Sequence, residues 1–394
     1  MYPINLPWAI NQNSPTIPLY PTAAQLAADP PLSSIFVPPV ALQPTTTAQL
    51  IAANPSINAQ ATENQTPSFQ SYNLDVERQF GSNLVWEIAY AGSRSVHLLY
   101  CENPQEVEPG PTSVPVASRI TIPAIAALRS ITYCLNRNYS NYNGLNTKLT
   151  KRLSHGLSSL TSYSWSKSLD DGGSAASGGG YVGGPQTVTN LQAGYGPSGF
   201  NIPHRLVESL VWYLPAGPGM AFLNNKGPLA TVLGGWEVDA IGTLQSGFPF
   251  SIPSMSSCPN NASSCWPDLV GSPKAIHQTY ANWYNPAAFA VPCQVAVSAT
   301  GACSVPAYRY GTAGRGILRG PQTVNFDLSA AKNLALRDGV TFQFRVDAFD
   351  ALNHPRMGIP NQTINVNAPS RSSTAITTTT GDNRDLQGSL KITF

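Results

Sequence analysis

From residue 71 onward the chain falls into segments about ten residues long in which apolar and polar side chains alternate, the period of a β-strand with two chemically different faces. In the first, Tyr72, Leu74, Val76 and Phe80 share one face, and Asn73, Asp75, Glu77 and Gln79 share the other. The second repeats the pattern with Leu84, Trp86, Ile88 and Tyr90. Others span 143–153, 157–167, 204–214, 235–246, 322–331, 339–350 and 386–394, nine in all. The eighth is the cleanest: Val340, Phe342, Phe344, Val346 and Ala348 alternate with Thr341, Gln343, Arg345, Asp347 and Phe349. The last sets Leu386, Leu390, Ile392 and Phe394 against Gln387, Ser389, Lys391 and Thr393. In the sixth, Ile241 interrupts the polar row, and the fifth, from His204, has no clear parity. Residues 1–70 are rich in proline, carry only Asp29 and Glu63 as charges and show no sustained period; they are expected to form a long, external-loop-like segment, with the barrel portion at 71–394.

The connections between these segments alternate in length, at about 2, 50, 3, 36, 20, 75, 7 and 35 residues, so short and long links gather at opposite ends. A soluble antiparallel sandwich has no reason to sort its loops this way. An outer-membrane barrel does, with short periplasmic turns and long external loops, and strands of about 9–11 tilted residues cross the hydrocarbon layer. The fold class expected is therefore all-β: an antiparallel up-and-down transmembrane barrel portion of about nine strands, incomplete as a barrel, with long extracellular loops. The polar face then lines a wet lumen, where parity places Glu237, Asp239, Arg345 and Asp347 near strand centres. Pairing among themselves or with plug groups is favoured there over direct substrate contact. The apolar face meets outer-membrane lipid, with Trp86, Tyr90, Tyr163, Trp165 and Trp236 as interfacial aromatics. Lys151 breaks the lipid row close to a short turn, where it is expected to snorkel.

Composition narrows the reading. Charged residues make up 11% of the chain, against about 25% in an ordinary soluble domain. Seven Trp, 16 Tyr and 13 Phe exclude a disordered chain. No unbroken apolar run is long enough for a membrane-spanning helix. A net charge of +2, with both signs spread along the chain, gives no footprint for nucleic acid. The amino terminus has no signal-peptide pattern, yet six cysteines without metal-ligand spacing point to an oxidising compartment. A truncated amino terminus, with strands missing upstream, reconciles the two. Cys101 with Cys134, Cys258 with Cys265 and Cys293 with Cys303 is the simplest pairing, although four cysteines in the 247–321 loop allow three connectivities.

Other motifs are weighed and set aside. Gly178, Gly180 and Gly183 satisfy GxGxxG without its βαβ context. Ser164 and Lys167 fit SxxK without companion motifs. Asp170 and Asp171 read as a solvated turn, and the histidines lack ligand spacing. No catalytic residue, cofactor or metal is expected, and the chain is not expected to be an enzyme. Tyr280, Trp283, Tyr284, Tyr308 and Tyr310 are equally compatible with stacking on a glycan or peptide and with loop packing.

Several stretches, in order and spacing, resemble the carboxyl-terminal part of the TonB-dependent receptors of the Oar-like group, whose chains carry a carboxypeptidase-regulatory-like domain. They are TPSFQSYNL from Thr66, AYAGSR from Ala89, YSWSKS from Tyr163, PHR from Pro203, GWEV from Gly235 and QSGFPF from Gln245. The region Gly311 to Asp327, FRVDAF from Phe344 and NHP from Asn353 complete the set. The resemblance implies a fragment of an energised import receptor whose whole barrel has about 22 strands around a plug. It implies an unidentified large or scarce ligand, a TonB complex engaged only through regions absent here, and a final strand, with Leu390, Ile392 and Phe394, read by the barrel-insertion machinery. The competing reading is a secreted all-β adhesion or glycan-binding protein.

Overall fold

The computed structural model describes residues 8–11, 56–62, 64–122, 130–172, 182–224, 227–255, 262, 265–294, 303, 305–337, 339–365, 374–381 and 383–394. All nine expected strands are present: β1 (Ser68–Phe80), β2 (Leu84–Glu102), β3 (Ser130–Ser154), β4 (Leu157–Asp170), β5 (His204–Tyr213), β6 (Trp236–Gln245), β7 (Thr323–Arg337), β8 (Val340–Phe349) and β9 (Asp385–Thr393). Each pairs antiparallel with the next in chain order, giving one curved wall. The barrel is not closed: among the described residues β1 pairs only with β2 and β9 only with β8.

Register carries the two faces across the wall. Tyr90, Leu145, Trp165 and His204 follow one another along one face, and Val238, Ala330, Val346 and Gly388 do so further on. The opposite face carries Asp239, Ser329, Asp347 and Gln387. Apolar side chains on the first face stay uncovered; Leu390 is 69% exposed and Ile392 58%. A water-soluble sheet would bury such a row at about 1.5–3 kcal/mol per large side chain; here its solvent is lipid. Among the described residues no helix is long and apolar enough to cross a membrane, so strands do the crossing.

The short links lie at one end. Between β3 and β4 both turn residues have positive φ, His155 at 52° and Gly156 at 79°, the geometry of a two-residue hairpin turn. Lys151 folds over this turn, donating to Ser154 Oγ at 2.7 Å and to the Leu157 carbonyl at 3.2 Å. The end near Tyr72 is finished differently. A Cβ on Gly92 would overlap the Tyr72 ring, so the glycine admits the tyrosine flat against the sheet, and Tyr72 and Tyr90 both donate to Asn143 Oδ1, at 3.0 and 2.7 Å. That contact accounts for the pairing of SYN with AYAG in the sequence.

Three features differ from the sequence reading. Residues 1–70, expected as loop throughout, contain the strands Trp8–Asn11 and Ser56–Gln60; the latter pairs parallel with Ser130–Cys134. Second, β2 and β3 continue well past the expected limits, so Cys101 and Cys134 sit opposite each other on paired strands rather than in a loop. Third, the register resolves β5: Leu206, Glu208, Leu210 and Trp212 join the apolar row, with Glu208 opposite Thr161 and Gly242. An acid in that row hides the alternation from a reader of the sequence.

The buried apolar core is not in the wall. It lies in the long links 246–322 and 350–384, where Phe250, Ile252, Tyr284, Phe289, Leu318 and Ile364 pack together. The Tyr284 ring meets the Phe289 ring edge-on at 6.0 Å.

Candidate functional site

Two polar assemblies stand on this frame: a charged cluster on the polar face of the wall, and a cap built from the long links.

In the wall, Arg345 on β8 donates from Nε to Asp347 Oδ1 at 2.8 Å and from Nη1 to Asp239 Oδ2 at 3.2 Å. Asp239 lies two strands away on β6. Arg345 reaches it because the intervening β7 offers only Ser329 and Ala331 on that face. Glu237 shares the face, in register with Ala331. The second oxygen of Asp239, Oδ1, is buried without a hydrogen-bond partner among the described residues. Further round, Lys148 bonds Glu87 at 3.0 Å on the same face. The surface is thus charged and internally paired, with an acceptor to spare.

The cap is tied by specific polar contacts. Arg315, from the link 246–322, is buried and forks onto the carbonyls of Gly194 (2.7 Å) and Asp170 (2.6 Å), and pairs with the Asp170 carboxylate. Ser251 Oγ donates to the Val182 carbonyl at 2.7 Å and accepts from Gly316 N–H at 2.9 Å. Gln186 and Gly311 exchange two bonds of 2.9 Å. Arg309 grips Asp268 through two bonds of 2.7 Å. Tyr310 O–H donates to Glu108 at 3.0 Å, and Glu106 accepts from Val188 N–H at 2.7 Å. The described residues of the links 103–129, 171–203, 246–322 and 350–384 are therefore tied together, the last joined by Tyr284 O–H on the Asn361 carbonyl at 2.8 Å.

Disulfides join Cys101 to Cys134 and Cys293 to Cys303. Cys265 is also disulfide-bonded, while Cys258 lies outside the described residues, as do Gly178 and Gly180. Asp170 and Asp171 are not the solvated turn expected: the first is held by Arg315, and the second is 1% exposed and accepts from Tyr139 N–H at 3.1 Å. Of the loop aromatics, Tyr284 is core, Tyr310 is anchored on Glu108, and Tyr280 stacks on Trp283 with centroids 5.9 Å apart, its own ring half-exposed. Ser164 bonds Asn146, and Lys167, three positions on, takes the opposite face of β4. Leu390 and Ile392 lie opposite Phe344 and Phe342, and Phe394 is 98% exposed. Among the described residues no group of His, Cys, Asp or Glu could hold a metal. Sequence reading missed Arg315, whose neighbourhood of glycines and prolines has no period to betray a buried cation.

Burial pushes the Asp171 carboxyl from 3.8 up to about 6, with the Asp170 charge adding to the shift and the Tyr139 N–H and Arg315 opposing it. Burial raises Glu106 as well, against the bonds from Val188 and Thr187. A carboxyl raised in the fold favours the folded form most when protonated. The contribution of Asp171 to cap stability is therefore expected to be fully present below pH 3.8 and to be lost as pH rises through about 6, by up to about 3 kcal/mol. Loop proteolysis followed from pH 4 to 7 checks this. Asp171→Asn should flatten most of the profile.

A family model described as an outer membrane beta barrel domain matches residues 2–387. No curated protein matches the chain. Among solved structures, the outer membrane transporter YddB from Escherichia coli is similar at 8% identity and a TM-score of 0.40, over 85% of this chain and 34% of that one. The ferric-catecholate import receptor Fiu from Escherichia coli K12 is similar at 9% identity and a TM-score of 0.37, over 84% of this chain and 28% of that one. The ferripyoverdine receptor of Pseudomonas aeruginosa gives 11%, 0.38, 83% and 27% for the same quantities. The chain spans about a third or less of each of these.

Proposed function

We propose, for a chain that belongs to the outer membrane beta barrel domain family, that it forms the carboxyl-terminal wall and outer cap of a TonB-dependent receptor importing a large or scarce ligand. The observation that carries this reading is the segregation of structure: the shorter links at one rim, and at the other four long links whose described residues are tied together around a core of their own. Loops that only joined strands would need no buried arginine and no disulfides. The Oar-like sequence stretches agree with it, as does a polar face with an unpaired acceptor at Asp239 Oδ1, suited to a plug or ligand donor. The edges of β1 and β9 need further strands in lipid, because an open ladder there leaves backbone groups unbonded. Leu390, Ile392 and Phe394 are assigned to recognition by the insertion machinery. The TonB complex acts through a plug outside this chain.

A secreted adhesion protein is a poorer account, since the family is one of outer-membrane barrels and the apolar row is uncovered. The test is solute depletion. Cells carrying the receptor gene should remove from the medium at least one solute that a deletion strain leaves, and a protonophore should abolish the difference. Identical spent media by untargeted mass spectrometry would defeat the import reading.

A further inference from the structure

The link between β5 and β6 is the longest at the short-turn rim, and Lys226 is the one charged residue in its sequence. It is nevertheless ordered by backbone bonds: Gly217 N–H to the Phe222 carbonyl, Phe222 N–H to the Pro215 carbonyl and Leu214 N–H to the Trp236 carbonyl, each 2.9 Å. It ends in a short helix, α1 (Pro228–Leu233). Along α1, Leu229, Val232 and Leu233 follow the i, i+3, i+4 spacing of one helical face, and all three are exposed, while Ala230 is buried. Met220 and Phe222 are exposed beside them, Phe222 at 66%. In water, five such side chains in one short link would be a standing liability.

Lys332 fixes the side of the wall on which this surface lies. By register Lys332 sits between Trp236 and Phe344, in the apolar row. A cation there is costly in lipid. Its Nζ instead donates to the carbonyls of Thr231 (2.6 Å), Val232 (2.9 Å) and Gly234, where the helix ends, and it lies 5.6 Å from the centre of the Trp236 ring. Trp236 Nε1 donates to the same Val232 carbonyl at 3.0 Å. The helix end is therefore docked on the lipid-facing side of the wall, not beneath the lumen, and its exposed apolar face continues the apolar row past Trp236.

We propose that the 214–235 link is an interfacial membrane anchor, with Phe222, Leu229, Val232 and Leu233 lying among phospholipid acyl chains of the periplasmic leaflet. The occupant follows from continuity with the lipid-facing row and from the exposed apolar face of α1, a segment placed to lie in an interface rather than to span it. Lys332 is the clamp: it neutralises the helix-end carbonyls, and they in turn remove its charge from lipid.

The inference rests on the wall being membrane-spanning, so the experiment carries a control for each. The photoreactive residue p-benzoylphenylalanine is placed singly at Val232, at Phe344 in the apolar row and at Gln387 on the polar face, and outer membranes are irradiated. Phospholipid adducts are expected at Val232 and Phe344 and not at Gln387. Lipid at Phe344 with none at Val232, or a protein adduct at Val232, overturns the anchor and leaves the wall standing. No lipid at Phe344 overturns the wall and the anchor together. Lys332→Met should reduce the Val232 adduct several-fold without changing that at Phe344; an unchanged yield would remove Lys332 from its assigned role.

Discussion

Phe344→Arg is expected to keep the chain from assembling in the outer membrane, whereas Gln387→Arg, on the neighbouring strand, leaves assembly intact. Phe344 lies at the middle of β8, opposite Leu390 and in the apolar row. An arginine on the lipid face costs about 2–4 kcal/mol at the midplane and less toward the interface; for Phe344, in register with Lys332, about 1–3 kcal/mol is expected, about 5- to 150-fold in the assembled fraction at equilibrium. Gln387 faces the other way, opposite Asp347, where an added cation finds wet surroundings and an acid. Membrane fractionation and heat-dependent gel mobility read both variants. Equal assembly of the two would show that the faces of the wall have been assigned the wrong solvents. A soluble β-sandwich makes the opposite forecast: there the Phe344 row would be interior, and the damage would appear as aggregation in water.

This contrast also explains how far the sequence could be read. Where lipid lies on one side and water on the other, as along β8 and β9, alternation is clear and parity identifies the face; along β1 only Arg78 stands in the apolar row. In β5 it fails, because Glu208 stands in the apolar row while Val207 and Val211 lie on the polar face. The outer parts of β2 and β3 fail for another reason. Beyond the membrane these strands meet water and the polar groups of the cap, as Asn138 does at the Gly172 carbonyl, so Asn136, Arg137, Asn138 and Tyr139 show no apolar–polar contrast and read as loop; strand pairing and the Cys101–Cys134 bridge hold them extended. The wall cluster was legible as a set of facing residues. Pairing was expected there, but not which acids Arg345 would reach, since Asp239 and Arg345 meet across β7 over the small Ser329 and Ala331. The cap was the least legible part: Phe250, Tyr284 and Ile364 are far apart in the chain and sit in segments with no period, so their joint burial is a property of the tertiary fold.

For that cap the decisive residue is Arg315. Replacing it with methionine is expected to cost about 3–5 kcal/mol in the cap, the usual result of removing one partner from a buried charged pair. Methionine fills much of the volume but leaves the Asp170 carboxylate and the carbonyls of Gly194, Asp170 and Gly196 without their donor. Because Gly194 and Gly196 belong to the link 171–203, Asp170 to the end of β4 and Arg315 to the link 246–322, the loss frees 246–322 from both. Externally added protease should then cut both links in intact cells at concentrations that leave the parent chain whole. Heat-dependent mobility of the wall should stay as it was, since Arg315 touches the wall only at Asp170, the end of β4, and takes no part in the strand-to-strand ladder. Arg315→Lys keeps the charge but not the planar fork, so it should fall between the two. If Arg315→Met leaves the links resistant, the core around Phe250 and Tyr284 holds the cap unaided; if the wall is lost as well, cap and wall fold as one unit, and the division between them drawn from burial is wrong.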